Sequence, residues 1–433
     1  MAGPSIIKQD AAQSSKGGIF SWCLYDWANS PFATVVITFV FSAYFAKAVA
    51  PDEVTGTALW GYAMSASGLA IALTAPILGS IADKTGRRKP WLLLFTALCA
   101  ATTVFLWQIK PEAAYVTLAL VLAAVANYGF ESAMVFYNAM LPDIAPRDKI
   151  GRISGWGWGL GYFGGLAALA VCLVGFVQAE VPWFGLSKEG AEHLRATPVM
   201  VAIWLVVFSI PLFLFTPDRS RSSAPLGKAA KDGIATLFKT LKEVGNYRDV
   251  AWFLIARMLY TDGLNTLFAF GGIYAAGTFG FSFTDLILFG IAINVTSGLG
   301  AFAFGWLDDR MGPKRTVLIA LVGLMVLSTI LLLIESKTMF WIVGLPLGIF
   351  VGPAQSASRS YMARLAPPQL TTEMFGLYAF SGKATAFLGP MALALATNMF
   401  ASQRAGMATI LGFFIVGGLL LLKVPDVRGS ESE

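Results

Sequence analysis

Tyr25-Asp26-Trp27-Ala28-Asn29-Ser30-Pro31-Phe32-Ala33 places a carboxylate, an indole and an amide inside a long apolar run. Tyr260-Thr261-Asp262-Gly263-Leu264-Asn265-Thr266-Leu267-Phe268-Ala269 repeats it. Each stretch reads D-x-x-N, a hydroxyl residue, then x-F-A; Asp26 and Asp262 stand 236 residues apart, about half the chain. A charged side chain near the middle of a membrane helix costs roughly 2.5–3.5 kcal/mol on insertion scales, which makes such a residue a functional candidate. Here the same costly pattern occurs twice.

The surrounding composition is that of a polytopic membrane protein. Of 433 residues, 56% are apolar and 13% charged, with a mean hydropathy of +0.68, whereas soluble domains carry about 25% charged residues. A span needs about 20 apolar residues. Twelve candidates lie near 20–48, 58–82, 90–109, 113–140, 152–177, 197–216, 250–277, 284–307, 314–334, 339–364, 373–400 and 404–423. The first is too long for a cleavable signal peptide, and residues 1–19 read as a polar tail. Cys23, Cys99 and Cys172 fall inside spans without disulfide or metal spacing, and the single histidine, His193, falls in a predicted loop. These residue types predict no metal site, cofactor or histidine proton relay.

Charge placement sets the expected topology. With the N-terminus in the cytoplasm, 23 Lys and Arg fall on cytoplasmic segments, Arg359 and Arg364 among them, and six fall opposite. That asymmetry predicts both termini inside, and it explains the net charge of +6 without a nucleic-acid partner.

The halves divide at 217–249, where Thr216-Pro217-Asp218-Arg219-Ser220-Arg221-Ser222-Ser223 has linker composition. Ile234, Leu237, Phe238, Leu241 and Val244 then recur at helical spacing among Lys231, Lys239 and Lys242. This predicts a short amphipathic helix on the inner membrane surface, with a partner-binding helix as the other reading. The expected organisation is an N-terminal tail (1–19), a first bundle (20–216), this linker, a second bundle (250–423) and a C-terminal tail (424–433). In the outer loop 178–196, Ser187 is expected to cap a short helix running through Arg195.

The repeat extends further. Gly79-Ser80-Ile81-Ala82-Asp83-Lys84-Thr85-Gly86-Arg87-Arg88-Lys89 follows the second span, and Gly305-Trp306-Leu307-Asp308-Asp309-Arg310-Met311-Gly312-Pro313-Lys314-Arg315 follows the eighth. Both contain G-x3-D-x2-G and then basic residues, and Ala145-Pro146 and Ala366-Pro367 close the fourth and tenth spans. Six spans repeated in one orientation predict an all-α membrane protein of twelve transmembrane helices in two six-helix bundles, related by an axis along the membrane normal.

The G-x3-D-x2-G-R-[RK] loop and its copy resemble the signature loop of the major facilitator superfamily across essentially the whole chain. Within it, Tyr25–Ser30 and the glycine-rich Gly155-Trp156-Gly157-Trp158-Gly159-Leu160-Gly161-Tyr162-Phe163-Gly164-Gly165 resemble the "unknown major facilitator" branch. That branch includes fungal vacuolar amino-acid effluxers linked to autophagy. The resemblance implies alternating access, a cavity lined by the first and seventh helices, and seams between bundles at the glycine-rich helices. It also places Asp83 at the start of the eleventh helix near Thr371-Thr372-Glu373, and Asp309 at the start of the fifth near Gly151. A carboxylate at a helix N-terminus gains roughly 0.3–1 kcal/mol, so Asp83, Arg87, Arg88, Asp309 and Lys314 form an expected cytoplasmic gate. Pro313 breaks the basic run and predicts a weaker second latch. A plain topology signal is the alternative for the basic residues alone.

Asp26 and Asn29, three apart, share a helix face. A polar helix–helix contact is one reading; a wet cavity face, with Asp26 low in it as gate or substrate contact, is the other. Glu131, Arg257, Asp262 and Lys383 are the remaining intramembrane charges. They read either as an internal network or as a site in which one carboxylate is protonated; Glu131 and Asp26 are the proton-coupling candidates. A zwitterion needs a cation for its carboxylate and acceptors for its ammonium. The proposed lining is therefore Asp26, Trp27, Asn29, Glu131, Trp158, Tyr162, Arg257, Asp262, Asn265 and Lys383, with Trp158 and Tyr162 as an aromatic wall. Gly159-x-Gly161-x-x-Gly164 lacks the βαβ context of a dinucleotide site and reads instead as small-x3-small packing. The expected activity is proton-coupled transport of a small polar solute, amino acids first, by a monomer in a bacterial inner membrane. A lipid flippase or scramblase and a non-transporting sensor are the rivals; nothing in the sequence assembles an enzyme.

Overall fold

The computed structural model describes residues 14–220, 222 and 225–427; the predicted tails beyond them, including Arg428, lie outside the described residues, as do Arg221, Ser223 and Ala224 of the linker. The described chain is helical throughout: α1 (Lys16–Val49), α2 (Glu53–Thr85), α3 (Lys89–Gln108), α4 (Ala113–Ile144), α5 (Arg147–Val177), α6 (Glu192–Phe215), α7 (Leu226–Lys242), α8 (Arg248–Phe279), α9 (Phe283–Met311), α10 (Pro313–Leu333), α11 (Lys337–Leu365), α12 (Pro368–Phe400) and α13 (Gln403–Leu421). Among the described residues, eleven are long and apolar enough to cross a membrane. Besides the amphipathic α7, α8 is left out. It has 32 residues, but Arg257 and Asp262 interrupt its apolar run.

Local chemistry sets the helix ends. Asp52 caps α2 by accepting the Thr55 N–H at 2.9 Å, and Ser282 with Asp285 forms a reciprocal capping box on α9. Gly86 and Gly312, the last glycines of the two signature loops, end α2 and α9 at φ of 81° and 88°. Residues with a Cβ avoid that region, so the motif needs glycine there. In α1, Pro31 removes one N–H, and the helix beyond it widens into i→i+5 bonding over Phe32–Phe39.

Several boundaries differ from expectation. α1 begins at Lys16, four residues early, because Ser15 caps it through the Gly18 N–H at 3.1 Å. The helix predicted after Ser187 is the first turn of α6, which starts at Glu192 and takes in His193 and Arg195. Buried Arg195 donates from Nε to the Trp107 carbonyl at 2.8 Å, which anchors that turn. α12 is broken: it runs helically over Thr371–Lys383 and again over Leu388–Phe400. Pro390 cannot donate to the ladder, which favours the interruption just before it.

α1 packs on α5 and α6, α3 on α4 and α6, and α2 on α4. In the second half α8 packs on α13, α9 on α11, and α10 on α11 and α13. The halves meet mainly along α2/α12 and α5/α9. The linker helix α7 lies against α2, where Ser80 Oγ donates to the Gly233 carbonyl at 2.7 Å; Leu237 faces inward, and Ile234 and Phe238 are exposed.

The face where α1 begins and α13 ends is called the near face here. Along the α2/α12 seam, a Cβ on Gly79 would run into the Thr372 carbonyl, and one on Gly376 would lie 2.5 Å from the Ala75 carbonyl oxygen. Further from the near face, a Cβ on Gly68 meets only Lys383 Cδ at 4.0 Å, and one on Gly61 meets nothing within 4 Å. The seam is thus closed at the near face and separates toward the far face. The α5/α9 seam follows the same course: Gly151 and Gly155 abut Asp308 and the Ala301 carbonyl, whereas Gly290 has open space.

Candidate functional site

At the near face, both signature aspartates sit on the first turn of a helix from the other half. Asp83 accepts the N–H groups of Thr372 at 3.1 Å and Glu373 at 2.9 Å. Asp309 accepts those of Gly151 at 2.8 Å and Arg152 at 3.2 Å. Unpaired N–H groups and the positive end of the helix dipole hold each carboxylate. The second contact is the richer one, contrary to the expectation from Pro313: Arg152 Nε also reaches Asp309 at 2.7 Å and Arg364 Nη2 lies 3.3 Å from it. The missing cation is supplied by α5 and α11 instead of by the motif.

The basic residues divide. Arg88 is buried, pairs with Asp143 and donates to Thr372 Oγ1 at 2.9 Å. Asp143 also takes both arms of Arg219 at 2.8 Å. Burial pushes the Arg88 guanidinium below its usual range, with Asp143 acting against it. Arg87 is exposed. Lys314 donates to the carbonyls of Leu422 and Val424, so it caps α13 inside its own half and does not reach across the seam.

One level deeper lies a contact that the sequence reading missed. Arg359, which reads in the sequence as a cytoplasmic topology charge, is 1% exposed, inside α11, and its Nη1 donates to Asp26 Oδ2 at 2.9 Å. Asn138 Oδ1, Ser154 Oγ and the Ser154 carbonyl take its other bonds, and Tyr137 Oη donates to the same Asp26 oxygen at 2.8 Å. Trp22, Tyr137 and Trp158 surround the guanidinium. The absence of a side chain at Gly157 makes room, since a Cβ there would strike Asp26 and Arg359 together. Asp26 is therefore held in a sealed ion pair and does not face a wet cavity. Asn29 is buried as well, its amide against the Met134 sulfur at 3.1 Å.

Toward the far face, Lys383 Nζ bonds Glu131 Oε1 at 2.7 Å, joining α12 to α4. These side chains are 31% and 25% exposed, against 1% and 7% for Arg359 and Asp26. The first pair is open to solvent and the second closes the floor beneath it. Trp158 and Tyr162 stand at this level, with Tyr162 Oη donating to Gln355 at 2.7 Å across the halves. Arg257 lies over the Tyr378 ring at 3.4 Å and bonds the Tyr378 carbonyl and Ser381 Oγ, each at 2.7 Å. Asp262 is buried and accepts the Gly389 N–H at 3.0 Å.

One predicted lining residue falls elsewhere. Trp27 stacks on Trp204 and meets Phe208 of α6, because position i+1 turns about 100° away from the Asp26 face. Asn265 is exposed, unlike its counterpart Asn29, and stands one turn before Phe268 on the same face of α8. Above the charges, Thr34, Phe39, Phe268, Phe289, Asn294 and Phe340 help line a mainly apolar cavity of 490 Å³. Among the described residues no group of His, Cys, Asp and Glu could hold a metal ion.

A helical membrane protein with near-face carboxylate latches and a far-side cleft has close counterparts in shape. A fucose transporter of the major facilitator superfamily, FucP, in its outward conformation, superposes with a TM-score of 0.72 at 15% identity, over 95% of this chain and 98% of that one. The proton:xylose symporter XylE bound to 6-bromo-6-deoxy-D-glucose gives 0.70 at 14%, over 96% of each. The fold is thus that of the major facilitator structures. Within it, the chain belongs to the vacuole effluxer Atg22-like family, whose model matches residues 48–151 and 146–433. The uncharacterized MFS-type transporter YxiO of Bacillus subtilis (strain 168) is 29% identical over 414 residues, 95% of each chain. Autophagy-related protein 22 of Kluyveromyces lactis is 25% identical over 409 residues, covering 86% of this chain and 79% of that one.

Proposed function

We propose that this chain is a secondary active transporter that moves small zwitterions, amino acids first, by alternating access coupled to protons. In this reading twelve spans, α8 included, form two six-helix bundles, 20–216 and 250–423, that rock about the α2/α12 and α5/α9 seams. Asp83 and Asp309 with their arginines, and Asp26 with Arg359, form the near-face gate; both termini face the cytoplasm of a bacterial inner membrane, and the unit is a monomer.

The observation that carries the reading is the Glu131–Lys383 pair, half open to solvent above a floor sealed by Arg359 and Asp26. A zwitterion offers each member of that pair a replacement partner: its carboxylate for Lys383 and its ammonium for Glu131. Exchange of one ion pair for two leaves no buried charge alone, which is the condition for charges to persist inside a membrane protein. The vacuole effluxer name of the family also favours efflux as the direction.

The reading is tested by thermal stabilisation of the purified protein with panels of amino acids, dipeptides, sugars and organic cations. Stabilisation by amino acids, lost in Lys383→Gln, is expected. Stabilisation by sugars or organic cations alone would replace the substrate class.

A further inference from the structure

We propose that the coupling proton resides on Asp262, an inference that rests on the proton-coupled reading above. Three carboxylates lie deep in the spans, and two have cations: Asp26 has Arg359, and Glu131 has Lys383. Asp262 is 2% exposed and has neither. Its repeat counterpart, Asp26, is neutralised by Arg359 from the opposite half. The position equivalent to Arg359 in the first half is Asn138, as Ala145-Pro146 and Ala366-Pro367 set the register. The duplicated carboxylate has thus lost its cation.

Its surroundings do not replace that cation. Asp262 Oδ2 accepts one bond, from Gly389 N–H at the start of the second segment of α12. Oδ1 is buried and unbonded, and so is Thr266 Oγ1, one turn along the same face. Both crowd Gly389: a Cβ there would collide with Thr266 Oγ1 and lie 3.1 Å from Asp262 Oδ1. On its own helix Arg257 is turned to Tyr378 and Ser381. On α12, Lys383 is held by Glu131, and Tyr378 lies beneath Arg257. On α11, Arg359 is held by Asp26, Arg364 by Asp308 and Asp309, and Tyr361 by the Pro425 carbonyl. On α9, Asp285 pairs with Lys337 at the far end, and Asp308 and Asp309 sit at the near face. α13 presents Phe413 and Phe414 to this stretch, with Arg404 and Lys423 bound at its ends.

A single N–H and one helix end stabilise an ion less than its burial in an apolar span destabilises it. One proton on Oδ1 cancels the charge and gives the group a donor beside the Thr266 hydroxyl. A hard metal ion takes about six oxygen ligands, and two free oxygens are too few. The proton is the cation that fits. Its release through the break in α12 would restore a charge that the far-open arrangement does not compensate, so protonation and opening are linked.

Difference infrared spectroscopy of the full chain in lipid nanodiscs at neutral pH tests the assignment. A protonated carboxyl band is expected in wild type, kept in Glu131→Gln, lost in Asp262→Asn and shifted in frequency in Thr266→Val. Absence of the band in wild type, or its survival in Asp262→Asn, overturns the proposal. Should Asp262→Asn fail to fold, an unshifted band in Thr266→Val overturns it. Spin-label distances between Tyr62 and Leu395, both exposed toward the far face, are expected to change with pH in wild type and not in Asp262→Asn; a retained pH response contradicts the proposal. A band assigned to Asp262 without proton-driven flux of any solute would sink the transport reading alone. Proton-driven flux with the band on another residue would sink this assignment alone.

Discussion

Arg359 Nη1 lies 2.9 Å from Asp26 Oδ2, and this bond joins the first helix of one half to a helix of the other at a level closed to solvent. Asn138, Ser154 and Tyr137 supply the pair's other bonds. In the proposed cycle the pair acts as a bolt one level deeper than the two carboxylate latches. Breaking a buried pair by removing one partner costs about 3–5 kcal/mol, whereas replacing both by apolar groups is often neutral. Arg359→Met alone is expected to lower thermal stability sharply and to loosen the near face. Asp26→Leu with Arg359→Met should recover most of that stability while leaving the near face easier to open. Melting of the purified variants, with near-face cysteine labelling, checks both parts.

The latches are weaker and additive. Asp83→Asn keeps the shape and removes the charge–dipole term of about 0.3–1 kcal/mol, a shift of roughly two- to fivefold toward the near-open state. Asp309→Asn should shift it further, because Arg152 loses its carboxylate as well and Arg364 is left with Asp308 alone. Spin-label distances across the near face would show the order of the two effects; equal or reversed effects would contradict it.

Close approach at the seam gives a paired steric test. Gly79→Ala puts a methyl group into the Thr372 carbonyl and should pry the near face apart, whereas Gly61→Ala has open space and should leave the conformation unchanged without loss of stability. Limited proteolysis and distance measurements on the two variants separate them directly.

These contacts differ in how legible they were in the sequence. The signature loops carry glycine, carboxylate and basic residues at fixed local spacing, so the loops are legible as motif and repeat, while the helix starts that Asp83 and Asp309 meet are what the family resemblance implies. Arg359 is not legible in this way, because an arginine near the end of an apolar run has the look of a topology charge. The available signal was its depth: it lies seven residues before Ala366-Pro367, two turns inside the helix, and its repeat partner Asn138 is itself within a span. Trp27 was misplaced because adjacency to Asp26 in sequence is opposition on a helix. The glycine rows of α5 were recognised as packing surfaces, but which faced which helix needed the fold: Gly155 and Gly159 meet α9, and Gly157 and Gly161 meet α1.

Charge exchange at the cleft makes a further prediction. Glu131→Gln leaves Lys383 half-exposed and still able to hold a carboxylate, so it should weaken zwitterion binding less than Lys383→Gln does. Glu131→Lys with Lys383→Glu restores the pair in reverse and should recover part of the affinity. Titration of the purified variants with the stabilising amino acid checks the ranking.

The central claim is that a cleft open on one side and bolted on the other serves transport. It is tested most directly by uptake of labelled amino acids into proteoliposomes under an imposed pH gradient. The account predicts saturable flux that responds to the gradient and is abolished by Lys383→Gln. Absence of flux for amino acids, dipeptides and sugars alike, in either gradient direction and with folded protein, would contradict it.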